Sequence, residues 1–411
     1  MRPCIVSSCG PALRPYWPLL KDTWDLVFMI EETAKMGRQI GWPATFLGEY
    51  MPKLTHEAMW QVVASDFVSI DWQKAEAAFR FKGWDAHAED WLKGWTIKQL
   101  GDLAPRLACL DNLAQTRQVA GVLLHEDITN GANYVAQWAR NHKIPCVHVA
   151  HGGYGMNWRP DVPVSWWDVH LSMNSDVVCC WNEGQAQSFL ANGARPDQVV
   201  VTGPGIFDHW VKLARDTKFA REILGLEQNK PVVAWLGDFC IKNEPRGTDD
   251  RITSGFKTFL EAAKLLADWQ VIANPHPGMH IWNVQWHVDR MNEAGVHGIV
   301  VENNIELIAQ AADVFYTATG STVCIEASVL GTTTALPSDI AKGDPFYVGC
   351  DWRDPASIAD AIRRAYGRAT DLDWREARSK ALVQLVGVPD GKATDRVMAV
   401  LRQRFSATAT N

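Results

Sequence analysis

The chain has 411 residues, 47% of them apolar and 21% charged, a balance that excludes disorder, collagen-like repeats and a coiled coil. Its formal charge is −7, with 17 basic and 22 acidic residues up to residue 210 and 23 and 25 after it. Neither half therefore has the basic excess of a duplex-coating protein or a polybasic membrane anchor. No stretch reaches the roughly 18 unbroken apolar residues that span a bilayer, and the opening MRPCIVSSCGPALRP lacks the apolar core of a signal peptide. Nine cysteines without a C-x-x-C pair read as reduced thiols. The expectation is a cytoplasmic protein (host cytoplasm if the source is viral), of two domains at roughly 150 residues or more each.

In chain order, short β-branched apolar runs alternate with longer helical patterns. Ile5-Val6, Asp25 to Ile30, Ala44 to Leu47, Gln118 to Leu124, Ile144 to Ala150, Val177 to Cys180 and Gln198 to Thr202 read as strands, with a helix over Tyr134 to Asn141. Strands that are nearly all apolar and separated by helices predict a parallel sheet covered on both faces. The pattern then restarts: one helix over Phe207 to Leu224, stopped by Gly225, precedes strands at Pro231 to Leu236, Trp269 to Ala273, Gly298 to Val301, Asp313 to Tyr316 and Thr333 to Leu336. The predicted domains are 1–208 and 209–388, with a C-terminal helix at 389–411 packing back toward the first. Each is Rossmann-like, and ligands of such sheets bind beyond the carboxyl ends of the strands, which predicts a cleft between the two.

One stretch breaks the alternation. The insert at about 71–117 carries Trp72, Trp84, Trp91 and Trp95 among Lys74, Arg80, Lys82, Lys93 and Lys98, in a chain with 20 tryptophans and only 7 tyrosines. Basic and aromatic side chains together can grip single-stranded or flipped nucleic acid. Acidic residues nearly cancel the charge of the stretch, so a helical cap on the first domain is the preferred reading.

Four constellations follow predicted strands. His125-Glu126-Asp127 comes directly after a buried run, where ligand-binding loops emerge; alternatively Asp127 or Thr129 caps the next helix. Ala150-His151-Gly152-Gly153-Tyr154-Gly155 sets an imidazole before glycines that permit close approach of backbone to ligand. A histidine there can take a proton from an attacking hydroxyl. Asn274-Pro275-His276-Pro277-Gly278 fixes the backbone on both sides of a second imidazole. The plainer reading of that loop is rigidity with an incidental ring. Thr317-Ala-Thr319-Gly320-Ser321-Thr322 opens a helix whose free amides, hydroxyls and dipole suit an anion, and Glu326, five residues into that helix, can accept hydrogen bonds from a ribose. There is no G-x-G-x-x-G, Walker lysine loop, H-E-x-x-H or paired C-x-x-C, and Asp371-Leu-Asp373 reads as a surface turn. A reaction without metal or cofactor is the default.

The ordered series VLLHEDITNGANYVAQWARNHKIPCVHVAHGG, WNEGQAQSFLANGARPDQVVVTGPGIFDHW, AREILGLEQNKPVVAWLGDF, NPHPG and ATGSTVCIEASVLGTTTAL, over about residues 120 to 340, resembles the GT-B superfamily of nucleotide-sugar enzymes. The nearest branches are the CDP-glycerol glycerophosphotransferases, the capsule polysaccharide transferases and the UDP-N-acetylglucosamine 2-epimerases. His125-Glu126-Asp127 is similar to the epimerase loop. Where the epimerases have a histidine- and arginine-rich loop and an Asp-Ser-Gly-Gly turn, however, this chain has Gly237-Asp238 and Gly320-Ser321-Thr322. The glycerophosphotransferase-like branch uses His-Gly and His-Pro histidines, which here are His151 and His276.

The resemblance implies an α/β GT-B fold of two facing Rossmann-like domains. It also implies metal-independent transfer of a sugar from a nucleotide sugar, a UDP-sugar by preference, to an acceptor hydroxyl. The donor diphosphate would lie against His276, Gly320, Ser321 and Thr322, and the ribose and base near Glu326, Glu302, Asn303 and Gly237. The acceptor would meet Ser8, Gly10, Gly152 and Tyr154. His151 or Asp127 would be the base, with Glu126 beside them. The acceptor could be a glycan, a small molecule or a hydroxymethylated DNA base of the phage type; the acidic balance argues against DNA. The alternatives are a 2-epimerase-like enzyme or hydrolase acting on the nucleotide sugar alone, and a non-catalytic module that binds it.

Overall fold

In a computed structural model, residues 2–8, 13–29, 31–50, 105–125, 130–150, 174–191, 193–237, 248–276, 283–319, 321–341 and 347–406 are described. The chain divides into two compact units, residues 1–206 with 392–411, and residues 207–391.

The first unit is built on seven strands: β1 (Cys4–Ser7), β2 (Asp25–Phe28), β3 (Ala44–Phe46), β4 (Val119–Leu124), β5 (Cys146–Val149), β6 (Val177–Cys180) and β7 (Val199–Val201). Every pairing is parallel, in the order β3-β2-β1-β4-β5-β6-β7. Side chains alternate across a strand, and both faces here are covered. Ile5, Leu26, Phe28, Leu123, Val147 and Val177 share one apolar cluster with Val397, Met398, Leu401 and Phe405 of the helix Ala393–Ser406. Cys4, Val6, Val27, Val122 and Leu124 point the other way, onto Leu110, Leu113, Val135 and Ala136. This two-sided burial is why the strands read as unbroken apolar runs.

The second unit has six parallel strands: β8 (Val232–Leu236), β9 (Gln270–Asn274), β10 (Gly298–Val300), β11 (Val314–Tyr316), β12 (Thr333–Pro337) and β13 (Tyr347–Cys350). Their order is β10-β9-β8-β11-β12-β13. One face packs Val233, Trp235, Val271, Val314 and Tyr316 against Phe256, Phe259, Ile358 and Ile362. The other packs Val232, Ala234, Ile272 and Phe315 against Ile308, Cys324, Ala327 and Trp210. Buried Arg221 ties this unit's periphery together. Its guanidinium donates to Asp313 Oδ2 at 2.7 Å and to the carbonyls of Ala311, Gln228 and Lys230, while Asp313 Oδ2 also accepts from the Val232 amide at 2.8 Å. A buried cation persists because each of these donors is satisfied.

Two expectations need correction. The single helix over Phe207 to Leu224 is two helices, Ile206–Lys212 and Thr217–Ile223. Asp216 breaks the run because its carboxylate accepts from the Phe219 amide at 3.0 Å and so starts a new helix. Strand β13 lies beyond the predicted set; its alternating, half-buried Tyr347-Val348-Gly349-Cys350 at a sheet edge offers no long apolar run. Gly225 does close its helix, with φ +68° and its amide on the Glu222 carbonyl. Asp371 proves to be a helix cap, accepting from the Trp374 amide at 3.2 Å. Seven cysteines among the described residues are buried thiols outside any disulfide. No helix among them is long and apolar enough to cross a membrane. Trp72, Trp84, Trp91 and Trp95 lie outside the described residues.

Gly121 in the middle of β4 makes room for the C-terminal helix. A β-carbon there would stand 2.2 Å from the Phe405 ring, and the β1–β4 register shifts at the same place. Gly121→Ala is therefore expected to cost about 1–3 kcal/mol by overpacking. The measurement is the urea midpoint of the first unit, and a midpoint equal to wild type would show that the ring can step aside.

Candidate functional site

In each sheet, consecutive strands run outward in opposite directions from a central pair. That pair is β1 and β4 in the first unit and β8 and β11 in the second. The carboxyl ends of such a pair form the crevice where doubly wound sheets bind ligands.

In the second unit, four predicted segments follow four adjacent strands. Gly237 follows β8, Asn274 to His276 end and follow β9, Glu302 and Asn303 follow β10, and Thr317 to Ser321 follow β11. The segments after β8, β9 and β10 are bonded into a ledge. The Gly237 amide donates to the Asn274 carbonyl at 2.8 Å, and a β-carbon on Gly237 would come within 2.9 Å of both Asn274 O and His276 N. Only glycine lets the two loops lie this close. The Asn274 side-chain amide donates to the Val301 carbonyl at 2.8 Å, and the Val301 amide to the Ala273 carbonyl at 2.9 Å. Asn303 adopts φ +58°, the left-handed region that asparagine tolerates. Its neighbour Asn304 caps the helix Ile305–Ala311 by accepting from the Leu307 amide.

Burial lowers the His276 pKa below the ordinary histidine value, so at neutral pH its ring is an uncharged hydrogen-bond donor and acceptor. Ser321 is the N-cap residue of the helix Thr322–Val329, yet its hydroxyl makes no capping bond to the helix. The Ser321 carbonyl accepts from the Cys324 amide at 3.0 Å, but the side chain satisfies none of the first helix amides. Gly320 lies outside the described residues. Glu326 is buried at 7% exposure. Burial pushes its carboxyl up to about 7, against a hydrogen bond from Trp210 that favours the charged form; the nearby Glu306 charge adds to the rise. Glu306 itself pairs with His209 Nε2 at 3.0 Å.

In the first unit, Ser8 follows β1 and His125 follows β4. The Ser8 amide donates to the Leu123 carbonyl at 3.0 Å, and Ser8 Oγ lies 2.8 Å from His125 Nδ1 and accepts from the His125 amide at 3.1 Å. Gly10, Glu126, Asp127, His151, Gly152 and Tyr154 lie outside the described residues. Sequence reasoning missed His125 as the partner of Ser8, and Trp210 as the partner of Glu326. No spacing signal could have shown either, since each contact joins residues more than a hundred positions apart.

Solved structures match this chain along nearly its whole length. The UDP-GlcNAc 2-epimerase from Methanocaldococcus jannaschii aligns at TM-score 0.57 with 15% identity, over 98% of this chain and 100% of that one. The enzyme of the same name from Neisseria meningitidis, solved bound to UDP-GlcNAc, aligns at 0.57 with 14% identity over 98% and 100%. HepE from Anabaena, solved in complex with UDP-glucose, aligns at 0.52 with 12% identity over 99% of each chain. The fold is GT-B. No protein-family model and no curated protein sequence matches the chain. At these identities the likeness to GT-B structures extends to the fold alone.

The raised Glu326 pKa sets a pH dependence for this GT-B chain. Below about pH 4.5 the group is protonated folded and unfolded; between about pH 4.5 and 7 only the folded protein keeps the proton. The unfolded state then binds fewer protons, so the contribution of Glu326 to stability falls as pH rises through that window. Glu326→Gln is expected to flatten this decline by up to about 1.4 kcal/mol per pH unit. Urea unfolding of both proteins at pH 5, 6 and 7 checks it, and parallel pH profiles would refute it.

Proposed function

We propose that the chain is a nucleotide-sugar enzyme whose substrate is a UDP-sugar, and that it acts on the sugar nucleotide itself, in an epimerase-like or hydrolytic reaction. The observation that carries the reading is the row of segments at the carboxyl ends of β8, β9, β10 and β11. It brings Gly237, His276, Glu302 with Asn303, and Ser321 onto one edge of the second sheet, where doubly wound folds take nucleotides. Similar structures solved with UDP-GlcNAc and UDP-glucose support the nucleotide and the sugar class.

The diphosphate would rest at the start of the helix Thr322–Val329. The helix dipole there favours negative charge, and the hydroxyl of Ser321 is not spent on capping. Thr322 and Gly320 would add to this cradle, and His276 would donate one neutral hydrogen bond to a phosphate oxygen. Preorganised donors of this kind stabilise the charge that develops on a departing nucleoside diphosphate without a metal, as an oxyanion hole does. Glu326 would accept from the ribose hydroxyls, with Glu302, Asn303 and Gly237 beside ribose and base. His151, Asp127 and Glu126 would supply acid–base chemistry to the sugar.

Transfer to an acceptor hydroxyl is the second reading. It is favoured by the departures from the epimerase pattern at Gly237-Asp238 and Gly320-Ser321-Thr322; Ser8, Gly10, Gly152 and Tyr154 would then face the acceptor.

A thermal-shift comparison of UDP, CDP, GDP and their sugars tests the ligand class, since a ligand at a hundredfold its Kd stabilises the folded state by about 2.7 kcal/mol. UDP compounds are expected to stabilise most, and His276→Ala to weaken UDP binding about tenfold. Incubation with UDP-GlcNAc alone should change the sugar or release UDP. His151→Ala and Asp127→Asn should each slow this step by about a hundredfold or more while leaving UDP binding in place. Stabilisation by none of the nucleotides would overturn the reading; turnover only after an acceptor is added would move it to transfer.

A further inference from the structure

Three arginines gather on the second unit near the amino ends of its strands, away from the crevice. Arg215 lies between the helices Ile206–Lys212 and Thr217–Ile223. It donates from Nη2 to the Ala312 carbonyl at 2.7 Å and from Nη1 to the Leu330 carbonyl at 3.4 Å, in the segments that lead into β11 and β12. Arg375 and Arg378 share one face of the helix Leu372–Val386, and Arg375 Nε donates to the Ala369 carbonyl at 2.7 Å. The Arg378 guanidinium lies over the Trp374 ring, 4.8 Å from its centre, a stacking that holds it in place. Arg378 Nη1 and the Trp374 indole N–H are both buried without an acceptor, and Trp374 is only 7% exposed. Burial, and then the charges of Arg375 and Arg215, lower the Arg378 pKa, with no carboxylate to offset them.

The carboxylates of these elements are engaged elsewhere. Asp371 accepts from the Trp374 amide and Asp216 from the Phe219 amide. Asp313 is held by Arg221 and the Val232 amide, and Glu376 pairs with Lys380. Asp373 points about 140° round the helix from Arg378. We propose that Arg215, Arg375 and Arg378 form a binding site for a phosphate-type oxyanion at the amino end of the second sheet. A guanidinium has only donors to offer, so three of them together repel one another and call for an acceptor from outside the chain. An anion among them turns the repulsion into attraction and gives Arg378 Nη1 the partner it lacks. Guanidinium forks match paired phosphate oxygens. A phosphate group also brings a charge near −2 and three acceptor oxygens, which suits three forks better than a carboxylate does. Every residue of the site belongs to the second unit, and none of them takes part in the UDP-sugar reading.

Titration of the full chain with inorganic phosphate, against chloride at matched ionic strength, tests the site. In nitrogen-15 spectra of the tryptophan indoles, the Trp374 signal is assigned by its loss in Trp374→Phe. It should shift and saturate with phosphate and stay in place with chloride. Arg378→Met and Arg215→Met should each weaken that response about tenfold, the size of one lost charge-assisted hydrogen bond. Arg378→Lys, which keeps the charge without the fork, should retain part of it. Thermal unfolding gives a readout that does not depend on Trp374. The gap in Tm between wild type and Arg378→Met should widen from chloride to phosphate, because the wild type alone gains the bound anion; an arginine that only staples the helix leaves the gap unchanged. A Trp374 signal indifferent to phosphate, one that titrates alike in wild type and in both Met variants, or a Tm gap equal in the two salts overturns the proposal.

Discussion

Every strand in both sheets runs the same way as its neighbours, and the placement of the chemistry follows from this. Parallel strands cannot be joined by hairpins, so each must return through a crossover that lays a helix on a face of the sheet. With helices on both faces, the sheet interior is closed to water and to ligands. What remains open is the edge where strands end and loops begin. The loops gathered there come from distant parts of the chain. In the second unit they are joined by backbone and asparagine hydrogen bonds and by the close approach at Gly237.

The ionisable groups at these edges are tuned by burial rather than by ion pairs. Desolvation is the largest influence on both His276 and Glu326, lowering the first and raising the second. In each case the uncharged form gains. The clamp at Arg221 is the opposite arrangement, a buried cation held by one carboxylate and three carbonyls. Its hydrogen bonds tie the helix Thr217–Ile223 to Asp313 at the start of β11 and to the carbonyls around it, away from the carboxyl ends of the strands.

Much of the architecture was legible in the residues. The runs at Val119–Leu124 and Val232–Leu236 are buried on both faces and apolar throughout, and a continuous apolar stretch between helical patterns betrays that environment. The loops at Gly237, His276, Glu302 and Ser321 could be placed after strands for the same reason. Less visible was the break at Asp216, where one carboxylate captured an amide and outweighed a helical pattern continuing on either side. Strand β13 was hidden because an edge strand buries only alternate residues.

The sequence by itself determined the order of twelve of the thirteen strands, the restart of the pattern after residue 202 and the positions of the candidate groups at strand ends, because these depend on periodicity within a few consecutive residues. Only the tertiary structure decided which groups meet. Ser8 with His125, Glu326 with Trp210, and Gly237 with the Asn274 to His276 loop depend on strand order in the sheet and on the desolvation that comes with packing. Neither is carried by any local run of residues, since one periodic pattern is compatible with many orders of strands and each order buries a different set of polar atoms.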